Sequence, residues 1–259
     1  MADTPSFENL SITVEGNIAQ LVLNRPAKMN ALSTSLLEEL AQAARWFDTV
    51  PEVKAVVVSG AGKHFSAGAD LEAFTGPAAT DIRKAADAGR LMAEAIEEMT
   101  APAVAAITGW CVGGGLVLAA ACDLRVADDD ARFSIPEVDL GIPLAWGGIP
   151  RLVREIGPAA TKELVMTCRT FDATEARSLG FLNKTVPADQ VLAEASNLAN
   201  ELAKRPALAI SVTKRHVNAV TSQMVGTARS WSDADGLITS LHDPGCQQAR
   251  LDYLKERNR

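Results

Sequence analysis

The stretch from Met99 to Cys122, MTAPAVAAITGWCVGGGLVLAAAC, runs for 24 residues without a charge, long enough to cross a bilayer as one helix. Its own residues argue against that helix. Pro102 removes a backbone donor and clashes with the turn before it, and three successive glycines at 113–115 oppose helix formation. A buried strand over Ala103–Ile107, a glycine turn and a buried helix over Leu116–Ala121 use every residue naturally. The expectation is an interior segment of a globular protein, with no membrane partner. A length of 259 residues supplies the surrounding core as one large domain, or as a core with an appendage.

The flanking sequence repeats the same alternation. Ser11–Val14 and Ile18–Leu23 read as strands joined by a tight turn at Glu15, Gly16 and Asn17. Ser33 caps a helix with apolar residues at Leu36, Leu37, Leu40, Ala44 and Phe47. Val53–Ser59 is a buried strand, Asp81–Glu98 a helix and Leu124–Val126 a short strand, so the class is α/β with right-handed crossovers. Beyond Pro136 the pattern turns helical: Ile149–Glu155, Ala159–Cys168, Ala173–Leu179, Val191–Lys204 and Pro206–Thr221, followed by a basic stretch from Gly245. A boundary near Pro187 separates a core over 1–186 from a helical region over 187–259.

The balance of 25 Lys and Arg against 32 Asp and Glu gives a net charge of −7, which argues against a nucleic-acid partner. Cys111, Cys122, Cys168 and Cys246 are widely spaced in a chain large enough to need no disulfide framework, which fits a reducing compartment. The opening MADTPSFENL has no apolar signal core, so the expected location is cytoplasmic.

Catalytic signatures are sparse. His64, His216 and His242 have no partner at metal-ligand spacing, so no metal site is expected. The phosphate loop, the dinucleotide fingerprint and the nucleophile elbow do not occur. Two small-residue turns and a carboxylate remain. The first turn, Phe65–Leu71 (FSAGADL), lets the backbone approach a ligand at Ala67, Gly68 and Ala69, with Asp70 read as a turn-closing acid. The second, Gly113–Gly115, precedes an apolar helix whose free N–H groups favour negative charge. Each could serve packing alone; together they could aim two donors at one oxyanion. Glu137 stands in PEVDLGIPLAWGG, where apolar neighbours would raise its pKa and suit it to proton transfer. An exposed first-turn glutamate is the other reading, and Asp139 has similar standing.

NRPAKMNALS, FSAGADL, GWCVGGGLVLAAACDLRVA and PEVDLGI occur in that order, and the chain resembles the crotonase superfamily, the enoyl-CoA hydratase and isomerase family, from about Ser11 to the basic C-terminus. The resemblance implies a spiral ββα core with a helical C-terminal trimerisation region, assembled as a homotrimer or as a hexamer of two trimers. It implies an acyl-CoA thioester as ligand, with coenzyme A as the carrier portion of the substrate, no permanently bound cofactor, and a place in fatty acid metabolism. The amides of Ala69 and Gly114 would form the oxyanion hole. Ala67, Gly68, Asp70, Leu71 and Gly113 would surround the thioester. Arg25, Lys28 and Lys63 would flank the CoA phosphates, joined by Arg250, Lys255, Arg257 and Arg259 of a neighbouring subunit.

One position departs from the hydratase pattern. Hydratases of the family carry a glutamate three residues after the oxyanion-hole glycine and a second in the PE segment; here the first position is Val117 and the second is Glu137. GGGLVLA instead resembles the mitochondrial type of enoyl-CoA isomerase, in which one glutamate moves a proton along the acyl chain. Trp146 falls where bulky residues wall the acyl pocket of that type. The expectation is therefore an enoyl-CoA delta isomerase. The alternatives are a hydratase with Asp139 or Glu72 as second acid, or an acyl-CoA-binding protein without turnover. Hydrolase and decarboxylase chemistry would use the same oxyanion stabilisation.

Overall fold

A computed structural model describes residues 4–71, 79–228 and 230–257. The uncharged stretch divides where its proline and glycines suggest, into strand β4 (Ala103–Ile107), strand β5 (Trp110–Val112) and helix α3 (Gly114–Ala121). All eight residues of α3 are buried, which explains why its sequence shows no polar face. Among the described residues no helix is long and apolar enough to cross a membrane.

The main sheet begins with the expected hairpin, β1 (Leu10–Glu15) antiparallel to β2 (Ile18–Leu23), with Leu10 opposite Leu23. Parallel pairing then carries it through β3 (Ala55–Gly60), β4, β6 (Leu124–Asp128) and β9 (Lys184–Val186), in the order β1-β2-β3-β4-β6-β9. Val56, Val57 and Val58 of β3 are fully buried, as expected for a parallel strand covered on both faces. A second sheet joins β5 to β7 (Arg132–Ser134) and β8 (Phe171–Asp172). These short strands have too few residues to show periodicity, and sequence reading missed them.

One face of the main sheet packs on α1 (Thr34–Phe47), α2 (Ala79–Glu98) and α3. Ser33 caps α1 as expected, accepting from the Leu36 amide at 3.3 Å. The opposite face packs on α6 (Val191–Ala203) through Val191, Ala195, Ala199 and Ala203, so the helical sequence beyond 187 returns at once to the sheet. The two helices expected around 149–168 occur as the two arms of α4 (Gly148–Thr167), separated at Gly157, whose φ 76° and ψ 165° are not helical, ahead of Pro158. After α5 (Ala173–Ser178) and α7 (Ala207–Met224), the chain ends in α8 (Asp233–His242) and α9 (Pro244–Arg257). The basic tail is thus a helix. It begins against the loop after β7: a Cβ added to Gly141 would lie 2.2 Å from the Cys246 carbonyl oxygen.

Candidate active site

The two small-residue turns meet. Gly68 has φ 87°, and a Cβ there would lie 2.7 Å from the Val112 carbonyl oxygen and 3.4 Å from the Gly114 nitrogen. Only a glycine permits this backbone-on-backbone approach. The first turn is stitched on both sides: Leu32 N–H donates to Gly68 O at 2.8 Å, Asp70 N–H to Leu32 O at 3.0 Å, and Val112 N–H to Ser66 O at 3.0 Å. Ser66 Oγ donates to Asn30 O at 2.9 Å and accepts from Gly68 N–H at 3.1 Å. Asn30, fully buried, in turn donates to the carbonyls of Ala61 and His64. The amides of Ala69 and Gly114 have no hydrogen-bond partner among the described residues. Two unpaired donors, one on the first turn and the other at the start of the buried helix α3, form a favourable position for an oxyanion.

Glu137 lies beside them in the turn after β7 and is 8% exposed, which overturns the exposed first-turn reading. A Cβ on Gly113 (φ 48°) would sit 2.3 Å from Glu137 Oε1, so the carboxyl group rests directly on the second turn. Its Oε2 is buried with no hydrogen-bond partner among the described residues. Desolvation pushes the pKa up to about 7, opposed only by the hydrogen bond from its own backbone amide. A carboxyl balanced between its two forms near neutral pH can both take and give a proton.

Two adjoining cavities share Ala69, Glu137 and Ile142. The larger, about 450 Å³, is lined by Ala67, Gly68, Leu71 and Gly113 and opens past Tyr253 and Glu256 of α9. The smaller, about 30 Å³, is lined by Gly114, Val117, Leu144 and Trp146. Val117 is fully buried, so an apolar wall stands where a second carboxylate would otherwise enter. The Trp146 ring is wedged between helices, where a Cβ on Gly89 of α2 would lie 2.1 Å from it and one on Gly114 would lie 2.3 Å away.

Arg25, Lys28 and Lys63 line neither cavity. Arg25 pairs with Asp70 at 2.9 Å and Lys28 stands 4.0 Å from the same carboxylate, beside the first turn. Asp70 is therefore an ion-pair partner rather than only a turn-closing acid. Lys63 is exposed, and Lys255 lies 3.5 Å from Asp252. Arg259 and the Arg257 side chain lie outside the described residues. Asp139 is exposed and lines neither cavity, which argues against it as a second acid; Glu72 lies outside the described residues. Sequence reading missed Gly89, Tyr253 and Glu256. An isolated glycine in a helical pattern is a recognisable signal of close approach, whereas nothing local marks the two α9 residues.

Comparison with known proteins gives the chain's relatives. The family model described as enoyl-CoA hydratase/isomerase matches residues 13–258. The chain is 35% identical over 254 residues to a crotonyl-CoA hydratase of Syntrophomonas wolfei, covering 97% of each. It is 36% identical to a probable enoyl-CoA hydratase of Rhizobium meliloti, covering 82% of each. A crystal structure of an enoyl-CoA hydratase/isomerase from Mycobacterium paratuberculosis superposes with a TM-score of 0.87 at 26% identity, covering 96% of this chain and 99% of the other.

Proposed function

The chain belongs to the enoyl-CoA hydratase/isomerase family, and from that premise we propose that it hydrates a 2-enoyl-CoA thioester with Glu137 as its acid–base group. The observation that carries the acid–base role is the buried Glu137 carboxyl, with a pKa near 7 and an unpartnered oxygen, beside the unpaired amides of Ala69 and Gly114. The names of the curated relatives support hydration over the isomerisation expected from sequence.

The thioester oxygen lies between the amides of Ala69 and Gly114. Water adds to the β-carbon, the double-bond electrons move toward the thioester, and the two amides stabilise the negative charge that develops on its oxygen. Such a donor is worth about 3 kcal/mol. Protonated Glu137 delivers its proton to the α-carbon and regains one from the added water, so atoms and charge balance over the cycle.

Val117 favours a second reaction at the same site. With an apolar side chain at 117 rather than a carboxylate that could activate water from α3, deprotonated Glu137 takes a proton from a 3-enoyl-CoA, the amides hold the dienolate, and the proton returns two carbons away. Supplying 2-enoyl and 3-enoyl-CoA separately, while following 3-hydroxyacyl-CoA and the conjugated enoyl product, distinguishes them. Dominant 3-hydroxyacyl-CoA supports hydration, and dominant double-bond migration replaces it with isomerisation. Tight acyl-CoA binding without either product would leave a binding protein.

A further inference from the structure

The smaller cavity lies beyond Glu137 from the open mouth, where the far end of an acyl chain must go if the thioester sits as proposed. At about 30 Å³ it has room for about two water molecules. Its far wall is Trp146, 5% exposed and with φ 61°, a left-handed conformation that a bulky residue adopts only when its surroundings impose it. Away from the cavity, the described surroundings hold it at several points. Gly89 and Gly114 admit the ring where any Cβ would collide. The Trp146 carbonyl accepts from the buried Arg151 guanidinium at 3.2 Å, and the next amide, Gly147 N–H, donates to Asp233 Oδ2 at 2.8 Å. The side wall is equally tight, because Ile142 packs on Ala86 of α2 and on Ala234 and Leu237 of α8.

We propose that Trp146, clamped by Gly89 and Gly114, is the specificity-determining residue that limits this protein to short acyl chains, of about four to six carbons. The inference rests on the acyl-CoA reading above for the ligand class. Among the described residues the clamp holds the ring against α2 and α3, so a methylene past the cavity must displace packed side chains.

The test reads binding and turnover separately. Calorimetric titration of the purified protein with butyryl, octanoyl and decanoyl-CoA is expected to give affinity at least about 10-fold weaker for the two longer chains. Trp146→Ala is expected to erase that difference, and Trp146→Leu, which keeps more of the packing, to reduce it. Equal or tighter binding of decanoyl-CoA by the unaltered protein overturns the proposal whether or not the variants fold. A folded Trp146→Ala with an unchanged profile also overturns it. If the chain-length preference is present but no enoyl-CoA is turned over, the reaction assignment fails while the acyl-length limit stands.

Discussion

The Glu137 carboxyl and Gly113 occupy each other's space: one Cβ added to the glycine would come within 2.3 Å of Oε1. The proton-carrying group is thus positioned by a missing side chain on the turn that also presents the Gly114 amide. Substituting either residue should disturb the same geometry from opposite sides.

Glu137→Gln keeps the shape of the side chain and removes its titration. Turnover is expected to fall about 100-fold or more with acyl-CoA affinity retained. Near-normal turnover in a kinetic assay would remove Glu137 from the mechanism.

The same variant carries a stability signature. Burial raises the folded pKa from 4.5 to about 7, so between those values the folded state holds more protons than the unfolded one, and stability falls as pH rises through that window. Above about pH 7 the cost of the buried charge is fully present. Glu137→Gln should therefore raise Tm at pH 8, by roughly 1–3 kcal/mol in stability, with a much smaller gain at pH 4. Thermal melts at the two values check the sign.

The direction of the pH–rate profile separates the two reactions. In hydration Glu137 begins protonated, so kcat/KM should decline as pH rises through about 7. In double-bond migration it begins as the carboxylate, and kcat/KM should climb through the same value. Profiles on each substrate decide the matter.

Val117→Glu places a second carboxyl in the smaller cavity. Hydration is expected to increase about 10-fold relative to double-bond migration, with a lowered Tm because a charge enters a fully buried site. A folded variant with an unchanged product ratio would refute the argument that two carboxylates favour hydration.

Ser66→Ala removes the hydroxyl that joins Asn30 O to Gly68 N–H. A loss of about 1–2 kcal/mol in stability is expected, with kcat reduced more than KM is changed, since the turn carrying Ala69 loses its tie. Denaturant melts and steady-state kinetics read the two effects.

Much of the core was legible because long elements carry their pattern in consecutive residues. The hairpin at Leu10–Leu23, the capped helix at Thr34–Phe47 and the divided apolar stretch all lie where the sequence puts them. The short strands at Trp110, Arg132 and Phe171 were not, since they are held by long-range pairing rather than local preference. Glu137 and the two turns were visible as chemistry, but their contact was not: Gly68 meets Val112 across 44 positions, and no spacing rule conveys that. The α9 residues at the mouth depend on how the C-terminal helix returns over the loop at Gly141, which only tertiary packing decides.

The backbone contact between Gly68 and the Val112–Gly114 segment has a consequence for how variation in this protein should be read. Donors supplied by main-chain amides survive every side-chain exchange except proline, which has no N–H, so a substitution scan would scarcely register them as chemistry. It would register them as volume: intolerance at positions 68, 89, 113 and 114 to the addition of a single carbon, whatever its polarity. In such a map the machinery would show itself as a set of places where nothing may be added, ringed by positions such as 117 and 146 where replacing the side chain changes what the protein does.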